Sequence, residues 1–284
     1  MKVAAILIDT GRELMFRKTI IVYFGVVTLV LLFFALALHT DVADGLIASM
    51  SVAGLKAISP GMSGLAAEDF VRYVQLGTAF MLYPLAILMS VFATASLVPR
   101  MLEKGTIDLL LSKPITRPAL FVARYLGGLL TVTLNLLYLT CGLGAILGLK
   151  TGVWNAGFVL SGLLMALYFA CLLAFVVLAG VLLRSTTVSV MITAALFFAS
   201  LIVRLPHAYR DWPLLVTGRL ARFLAVTVVE TLYHGLPRTY DFVQSTTALI
   251  RHEGGPDWGA VGGSALSGAA ALLLAVVCFS RKDY

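Results

Sequence analysis

The chain has 284 residues, of which 60% are hydrophobic and 12% charged, and its mean hydropathy is +0.99. Soluble domains carry roughly 25% charged residues, so this composition leaves too little polar surface to cover a soluble globule. The sequence therefore predicts an integral membrane protein. Its length fits one bundle of about six spans better than two soluble domains.

The net charge of +7 does not indicate a nucleic-acid partner. Basic residues of membrane proteins concentrate in cytoplasmic loops and beside anionic lipid headgroups, and no basic run with interleaved aromatic residues occurs here. The cysteines Cys141, Cys171 and Cys278 each lie inside an apolar run, without a metal-ligand pattern beside them. We therefore expect buried thiols, with no metal site and no disulfide.

Residues 1–18 form the first predicted element, an amphipathic helix on the inner membrane surface. Charged residues, among them Arg12 and Glu13, interrupt the apolar ones, whereas a signal peptide has an uninterrupted apolar core. A charged anchor in front of the first span explains these charges equally well.

Six apolar stretches approach or exceed the roughly 20 residues that cross a bilayer. The predicted spans are residues 19–38, 74–98, 119–149, 156–183, 188–203 and 259–280. Residues 39–72, which are rich in Gly, are predicted to form an outer loop with short interfacial helices. The whole chain, 1–284, is predicted to be one transmembrane domain of the all-α class.

Residues 204–257 precede the last predicted span. Hydropathy alone would make 214–236 a seventh span, but this stretch contains Arg219, Arg222 and Glu230. At roughly 3 kcal/mol per charge in the membrane centre, its insertion would cost about 9 kcal/mol. We therefore predict an outer-face helical segment that lies in the interface or forms a re-entrant pair.

A short polar segment, residues 99–118, connects the second and third predicted spans. Gly105 ends the preceding helix and Thr106 is a suitable N-cap for a new one. Asp108 places a negative charge in the first turn, where the helix dipole favours it. The segment is therefore predicted to contain a short helix of its own.

The apolar face of that short helix begins with Leu109 and Leu110. Pro114 prevents further helix, and Arg117, which is followed by another proline, begins the next helix, because proline is tolerated in a first turn. The pattern predicts a helix end, a short surface helix, a stop and a new helix.

The string Glu103-Lys-Gly-Thr-Ile-Asp-Leu-Leu-Leu-Ser-Lys-Pro-Ile-Thr-Arg117 resembles a signature of ABC-2-type transporter permeases. In that family the segment is a cytoplasmic coupling region that docks on a separate ATP-binding subunit. The resemblance implies an ATPase-coupling site made of Glu103, Gly105, Thr106, Asp108, Leu109, Leu110, Pro114 and Arg117. The string from Asp9 to Leu14, which includes Arg12 and Glu13, resembles the T-x-R-E start of many such permeases.

The resemblance implies the permease subunit of an ATP-driven exporter, set among membrane lipids. No G-x-x-x-x-G-K-[ST] motif occurs, so we expect no catalytic residue and no cofactor in this chain, with ATP and Mg bound by the partner ATPase. The family's plan of two permeases and two ATPases implies a homodimer or a pairing with a similar permease.

Small residues recur every four positions in two predicted spans. The positions are Gly144, Gly148, Gly152, Gly259, Gly263 and Ser267. Such faces let helices approach closely. Packing within one chain and a dimer interface both explain this spacing.

Polar residues are scarce within the predicted spans. Asn135 and its neighbours Thr131, Thr133 and Tyr138 are predicted to hydrogen-bond across helices, with a substrate contact as the alternative. No Asp or Glu lies at mid-depth of a predicted span, which disfavours the alternative function of an ion-coupled carrier or channel. The lack of a catalytic motif disfavours an intramembrane enzyme.

The orientation follows from the basic residues. The short segments predicted inside hold far more Lys and Arg than the short segments predicted outside. By the positive-inside rule, both termini are predicted to be cytoplasmic in a multi-pass protein of the cytoplasmic membrane.

Overall fold

The computed structural model describes residues 18–43, 46–52, 55–58, 66–102, 116–208 and 235–281, with a few residues between 226 and 233. The predicted interfacial helix, with Arg12 and Glu13, lies outside the described residues. The same is true of the coupling residues from Glu103 to Pro114.

The described part of the chain forms eight helices and three strands. In chain order they are α1 (Lys18–Ala37), β1 (Leu38–Ala43), β2 (Leu46–Val52), β3 (Leu55–Ile58), α2 (Ala67–Thr94), α3 (Leu97–Met101), α4 (Arg117–Thr151), α5 (Ala156–Leu183), α6 (Thr186–Ala208), α7 (Thr239–Arg251) and α8 (Trp258–Arg281).

Five stretches of these helices are long and apolar enough to cross a membrane. They are Ile20–Ala37, Ala67–Pro99, Arg117–Thr151, Ala156–Leu183 and Trp258–Arg281. Helix α6 carries a shorter apolar stretch, Thr186–Leu201. The described chain is thus a multi-pass membrane protein with an all-α body, as the composition predicted.

Strands β1, β2 and β3 form a small antiparallel sheet in sequential order, beyond the end of α1. Leu38 pairs with Val52, and Met50 pairs with Ile58. The prediction of short interfacial helices is therefore wrong for the described residues 39–43, 46–52 and 55–58. In residues 49–52, serine alternates with an apolar residue, and this period of two is typical of a strand.

The spanning helices run alternately between two ends of the bundle. The sheet end holds the β-sheet, the starts of α2, α5 and α8, and the end of α4. There, Lys150 Nζ donates to the carbonyl oxygens of Ala35, at 2.7 Å, and of Leu38. The opposite end, which we call the coupling end, holds α3 and the start of α4. There, Gly180 lies against Val98 and Pro99.

Helix α5 is the centre of the bundle, because α2, α4, α6, α7 and α8 all pack on it. Phe158, Tyr168 and Phe169 are fully buried along its length. Hydroxyl groups also join neighbouring helices inside the bundle. Tyr83 of α2 hydrogen-bonds to Ser161 of α5 at 2.7 Å.

Helices α8 and α5 approach each other closely at Gly268. A Cβ added there would lie 2.9 Å from the Cα of Cys171, closer than such atoms pack. A Cβ added at Gly262 of the same helix would meet nothing within 4 Å. The bundle therefore needs glycine at position 268 and tolerates a side chain at 262.

We expect Gly268→Ala to lower the free energy of unfolding by about 1–3 kcal/mol, because the added methyl group overpacks the contact with α5. Gly262→Ala is the matched control and is expected to be neutral or slightly stabilising, since alanine favours a helix. Thermal unfolding of both purified variants in detergent measures the difference. Equal transition temperatures would contradict the close approach at Gly268.

Candidate functional site

The two helices that flank the predicted coupling segment are firmly held by the bundle. In α3, Leu97, Val98 and Met101 are each at most 3% exposed. A Cβ added at Gly128 of α4 would lie 2.8 Å from the Leu97 side chain, so α3 and α4 are also in contact with each other. Residues 103–115 thus connect two anchored points at the coupling end.

Of the predicted coupling residues, Arg117 lies within the described chain. It is the first residue of α4, Thr116 before it has an extended backbone, and Pro118 occupies the first turn. The restart of a helix at Arg117 is therefore confirmed. The described residues do not include Glu103, Gly105, Thr106, Asp108, Leu109, Leu110 or Pro114, and the coupling role of all eight residues stays a prediction.

The first set of predicted packing residues lies near the sheet end of α4. A Cβ added at Gly144 or Gly152 would meet nothing within 4 Å, and Gly152 ends the helix with a left-handed φ of 75°. At Gly148 a Cβ would lie 2.8 Å from the Trp154 ring. This glycine therefore makes room for a side chain of the α4–α5 connection.

The second set lies on α8. A Cβ added at Gly259 would be 3.3 Å from the Asp257 carboxylate, and one added at Gly263 would be 3.5 Å from the Arg238 guanidinium. Ser267 Oγ donates to the carbonyl oxygen of Ser264 in its own helix, at 2.9 Å. Whether either set contacts a second copy of the chain stays a prediction.

Close helix contacts are instead made by single glycines. A Cβ at Gly142 would lie 2.7 Å from Leu31, and one at Gly162 would lie 2.8 Å from Thr140. Sequence reasoning missed these positions because it searched for repeated spacing. A single glycine that lies against one side chain of a neighbouring helix shows no repeated spacing in the sequence.

The predicted polar group of α4 makes one hydrogen bond across helices. Tyr138 Oη lies 3.3 Å from Thr28 Oγ1 of α1. Thr131 and Thr133 donate to carbonyl oxygens of α4 itself. Asn135 is 1% exposed, and its amide has no hydrogen-bond partner among the described residues. In the described chain, the predicted bridging role therefore falls to Tyr138 alone.

Helix α7 begins deep inside the bundle and ends at the sheet end. Tyr168 of α5, which hydrogen-bonds to Thr239 at the start of α7, lies 13 residues beyond Asn155. That separation is about 20 Å along a helix. The other end of α7 is fixed by Asn155 Nδ2, which donates to the Ile250 carbonyl oxygen at 2.9 Å. Helix α7 therefore occupies the half of the bundle towards the sheet end.

A cluster of three hydroxyl groups holds the deep end of α7. The buried side chains of Tyr168, Ser200 and Thr239 hydrogen-bond in series and join α5, α6 and α7. The ring of Phe242 packs 5.0 Å from the Tyr168 ring, measured between centroids. We call these three hydroxyl-bearing residues the hydroxyl junction.

Two charged residues, Arg238 and Asp241, lie at the start of α7. Asp241 is 6% exposed and accepts a hydrogen bond of 3.3 Å from Tyr233, over whose ring the Arg238 guanidinium lies at 4.5 Å. The backbone N–H of Arg238 donates to Ser264 of α8 at 3.0 Å. These contacts hold residues 238–251 against the other helices of the bundle. Whether 204–257 lies in the interface or forms a re-entrant pair stays a prediction. Sequence reasoning missed Asp241 as a buried acid because it examined only continuous apolar spans.

These features define a polytopic helical membrane protein in which a short helix, α7, begins inside the bundle and two anchored helices, α3 and α4, flank a polar connection. A family model described as ABC-2 family transporter protein matches residues 15–284. The chain belongs to this family and is the membrane permease subunit of an ABC transporter rather than its ATP-hydrolysing subunit. A search among curated proteins found no match.

We expect Thr239→Val to lower the free energy of unfolding by about 1–2 kcal/mol, because it removes one hydroxyl of the buried junction. Thr247→Val is the matched control, since Thr247 Oγ1 bonds only to the Val243 carbonyl oxygen among the contacts described for it. Limited proteolysis and thermal unfolding compare the two variants. Equal effects would show that the junction does not hold α7.

Proposed function

We propose that this chain forms half of the translocation path of an ATP-driven exporter and couples it to a separate ATP-binding subunit. The observation that carries the proposal is the segment 103–117, whose residues resemble the coupling region of the family to which the chain belongs. Its position between α3, whose Leu97, Val98 and Met101 are buried, and α4, which is buried from Leu120 onward, supports the mechanical role. The partner ATPase binds ATP and Mg, and this chain binds neither.

The route for movement follows from the contacts at the coupling end. A displacement of 103–115 acts on α3, which lies against Gly180 of α5, and on α4, which receives Leu97 at Gly128. Interiors are close-packed, so these helices pass a shift on rather than absorb it. Helix α5 also holds α7 through the hydroxyl junction, which links the coupling end to α7.

The assembly that suits this role is a homodimer, or a pair of similar permeases, bound to two ATPase subunits. One bundle surrounds only part of a path in that plan. The coupling end faces the cytoplasm, both termini are cytoplasmic, and the sheet end lies outside in the cytoplasmic membrane. This orientation is supported by the excess of Lys and Arg in the short segments of the coupling end.

Leu110→Asp tests the coupling role. The substitution places a charge on the apolar face proposed to anchor the ATPase, and such an anchor is worth about 2 kcal/mol or more at an interface. We expect ATPase co-purification to fall by about tenfold or more and transport-stimulated ATP hydrolysis in proteoliposomes to be lost, with the bundle still folded.

Lys104→Ala, on the polar side of the same segment, is the control and should leave both measurements unchanged. The mass of the unmodified complex should correspond to two permeases and two ATPases. Wild-type binding and turnover in both Leu110→Asp and Leu109→Asp would contradict the coupling role.

Orientation is tested with single cysteines and a membrane-impermeant maleimide on intact cells. Glu253→Cys lies at an exposed position of the sheet end and should be labelled. Ser112→Cys lies in the coupling segment and should be labelled only after the membrane is opened. The unmodified chain gives the background from its three native cysteines. Labelling of Ser112→Cys alone on intact cells would reverse the proposed orientation.

A further inference from the structure

A buried charge lies at the coupling end. Arg124, about two turns into α4, is 7% exposed. A buried guanidinium is costly unless acceptors pair with it, and a carboxylate is its strongest partner. Helices α1, α3, α4, α5, α6 and α8 contain no Asp or Glu, and the acids of α2 and α7 lie in the sheet-end half. A carboxylate at the coupling end therefore belongs to the chain segments that flank these helices.

Arg124 shares a face of α4 with Gly128, because residues four apart in a helix lie one above the other. A Cβ added at Gly128 would lie 2.8 Å from Leu97, the first residue of α3. From there α3 runs towards the coupling end, since its next two residues lie against Gly180, near the end of α5. Helices α3 and α4 thus run in opposite directions. This register places Met101, one turn after Leu97, level with Arg124.

The chain leaves α3 beside this guanidinium. Met101 is 2% exposed, Leu102 is half-buried, and the next residue in the sequence is Glu103. Two residues of extended chain cover at most about 7 Å. Long side chains of a helix lean towards its N-terminus, so the Arg124 guanidinium is directed towards the coupling end. Glu103 lies outside the described residues, and the chain that leads to it ends within reach of Arg124.

Four other acids belong to segments at this end, namely Asp9, Glu13, Asp108 and Asp283. All but the last are five or more residues from the nearest described helix. Asp283 follows α8, whose Phe279 ring packs 5.2 Å from the Phe121 ring of α4, measured between centroids. Phe121 is already nearer the coupling end than the buried guanidinium, and Asp283 comes four residues after Phe279. The register therefore favours Glu103.

We propose that Glu103 and Arg124 form an ion pair that fixes the start of the coupling segment to α4. The guanidinium donates to the Glu103 carboxylate, which compensates the buried charge. This inference rests on the proposed function, because it gives one residue of the coupling segment an internal role. Glu103 holds the segment on the bundle, and the leucines that follow Gly105 meet the ATPase. A displacement of the segment then reaches α4 one turn from its contact with Leu97.

Hydrogen–deuterium exchange of the full chain in detergent, without an ATPase, tests this pair. The measured quantity is the exchange rate of the backbone amides of residues 104–113. Glu103→Gln and Arg124→Gln are each expected to raise it at least about fivefold, because either change removes the ion pair. The chain with both substitutions is expected to exchange no faster than the faster single variant, since residues in contact do not act additively. Exchange of the α5 amides should not change.

Arg117→Gln is the matched control, because Arg117 begins the same helix and is nearer to the segment in sequence. Its effect is expected to add to that of Glu103→Gln. Arg124→Lys keeps the charge but loses the planar fork, so its exchange rate is expected between those of the unmodified chain and Arg124→Gln. Thermal unfolding checks that each variant is folded, and Arg124→Lys replaces Arg124→Gln in the comparison if the latter does not fold.

The result is separable from that of the coupling test, because the exchange experiment contains no ATPase. Unchanged ATPase binding in Leu110→Asp would remove the coupling role and leave the ion pair intact. Additive effects of Glu103→Gln and Arg124→Gln would remove the ion pair and leave the coupling role intact.

Two further results would overturn the proposal. One is a non-additive effect of Arg124→Gln with a neutral substitution of one of the four other acids instead of Glu103, which would identify a different partner. The other is exchange of residues 104–113 in the unmodified chain as fast as in an unstructured peptide, because a segment fixed to the bundle is protected.

Discussion

The hydroxyl junction is the interaction on which the arrangement of the sheet-end half depends. A helix that stops inside a membrane leaves polar groups that lipid cannot satisfy. The hydroxyl groups of Tyr168, Ser200 and Thr239 hydrogen-bond to one another at that point. The backbone N–H of Arg238 donates to Ser264 Oγ of α8. Helix α7 can therefore begin inside the bundle, where Asp241 is buried.

Helix α5 connects this junction with the opposite end of the molecule. It meets α3 at Gly180, α8 near Cys171 and α7 at Tyr168. Each contact is short because a glycine or a hydroxyl replaces a bulky apolar side chain. The central helix is thus in contact both with α3 and α4, which flank the segment proposed to meet the ATPase, and with α7 in the sheet-end half.

Part of the candidate site is readable from the sequence. The signature around Gly105 and Pro114 depends on local backbone preferences, and those preferences are properties of neighbouring residues. The hydroxyl junction is different, because Tyr168, Ser200 and Thr239 are far apart in the chain. Only the packing of α5, α6 and α7 brings them together, so no sequence spacing indicated them.

The sequence by itself determined the class of the protein, its long helices and its family, since apolar runs of bilayer length and short motifs are local signals. The tertiary structure decided the rest. It formed a sheet where helices were predicted, selected the glycines that make close contacts, and placed α7 within the bundle. Each of these outcomes depends on which distant surface a residue meets, and hydropathy averaged along a chain does not contain that information.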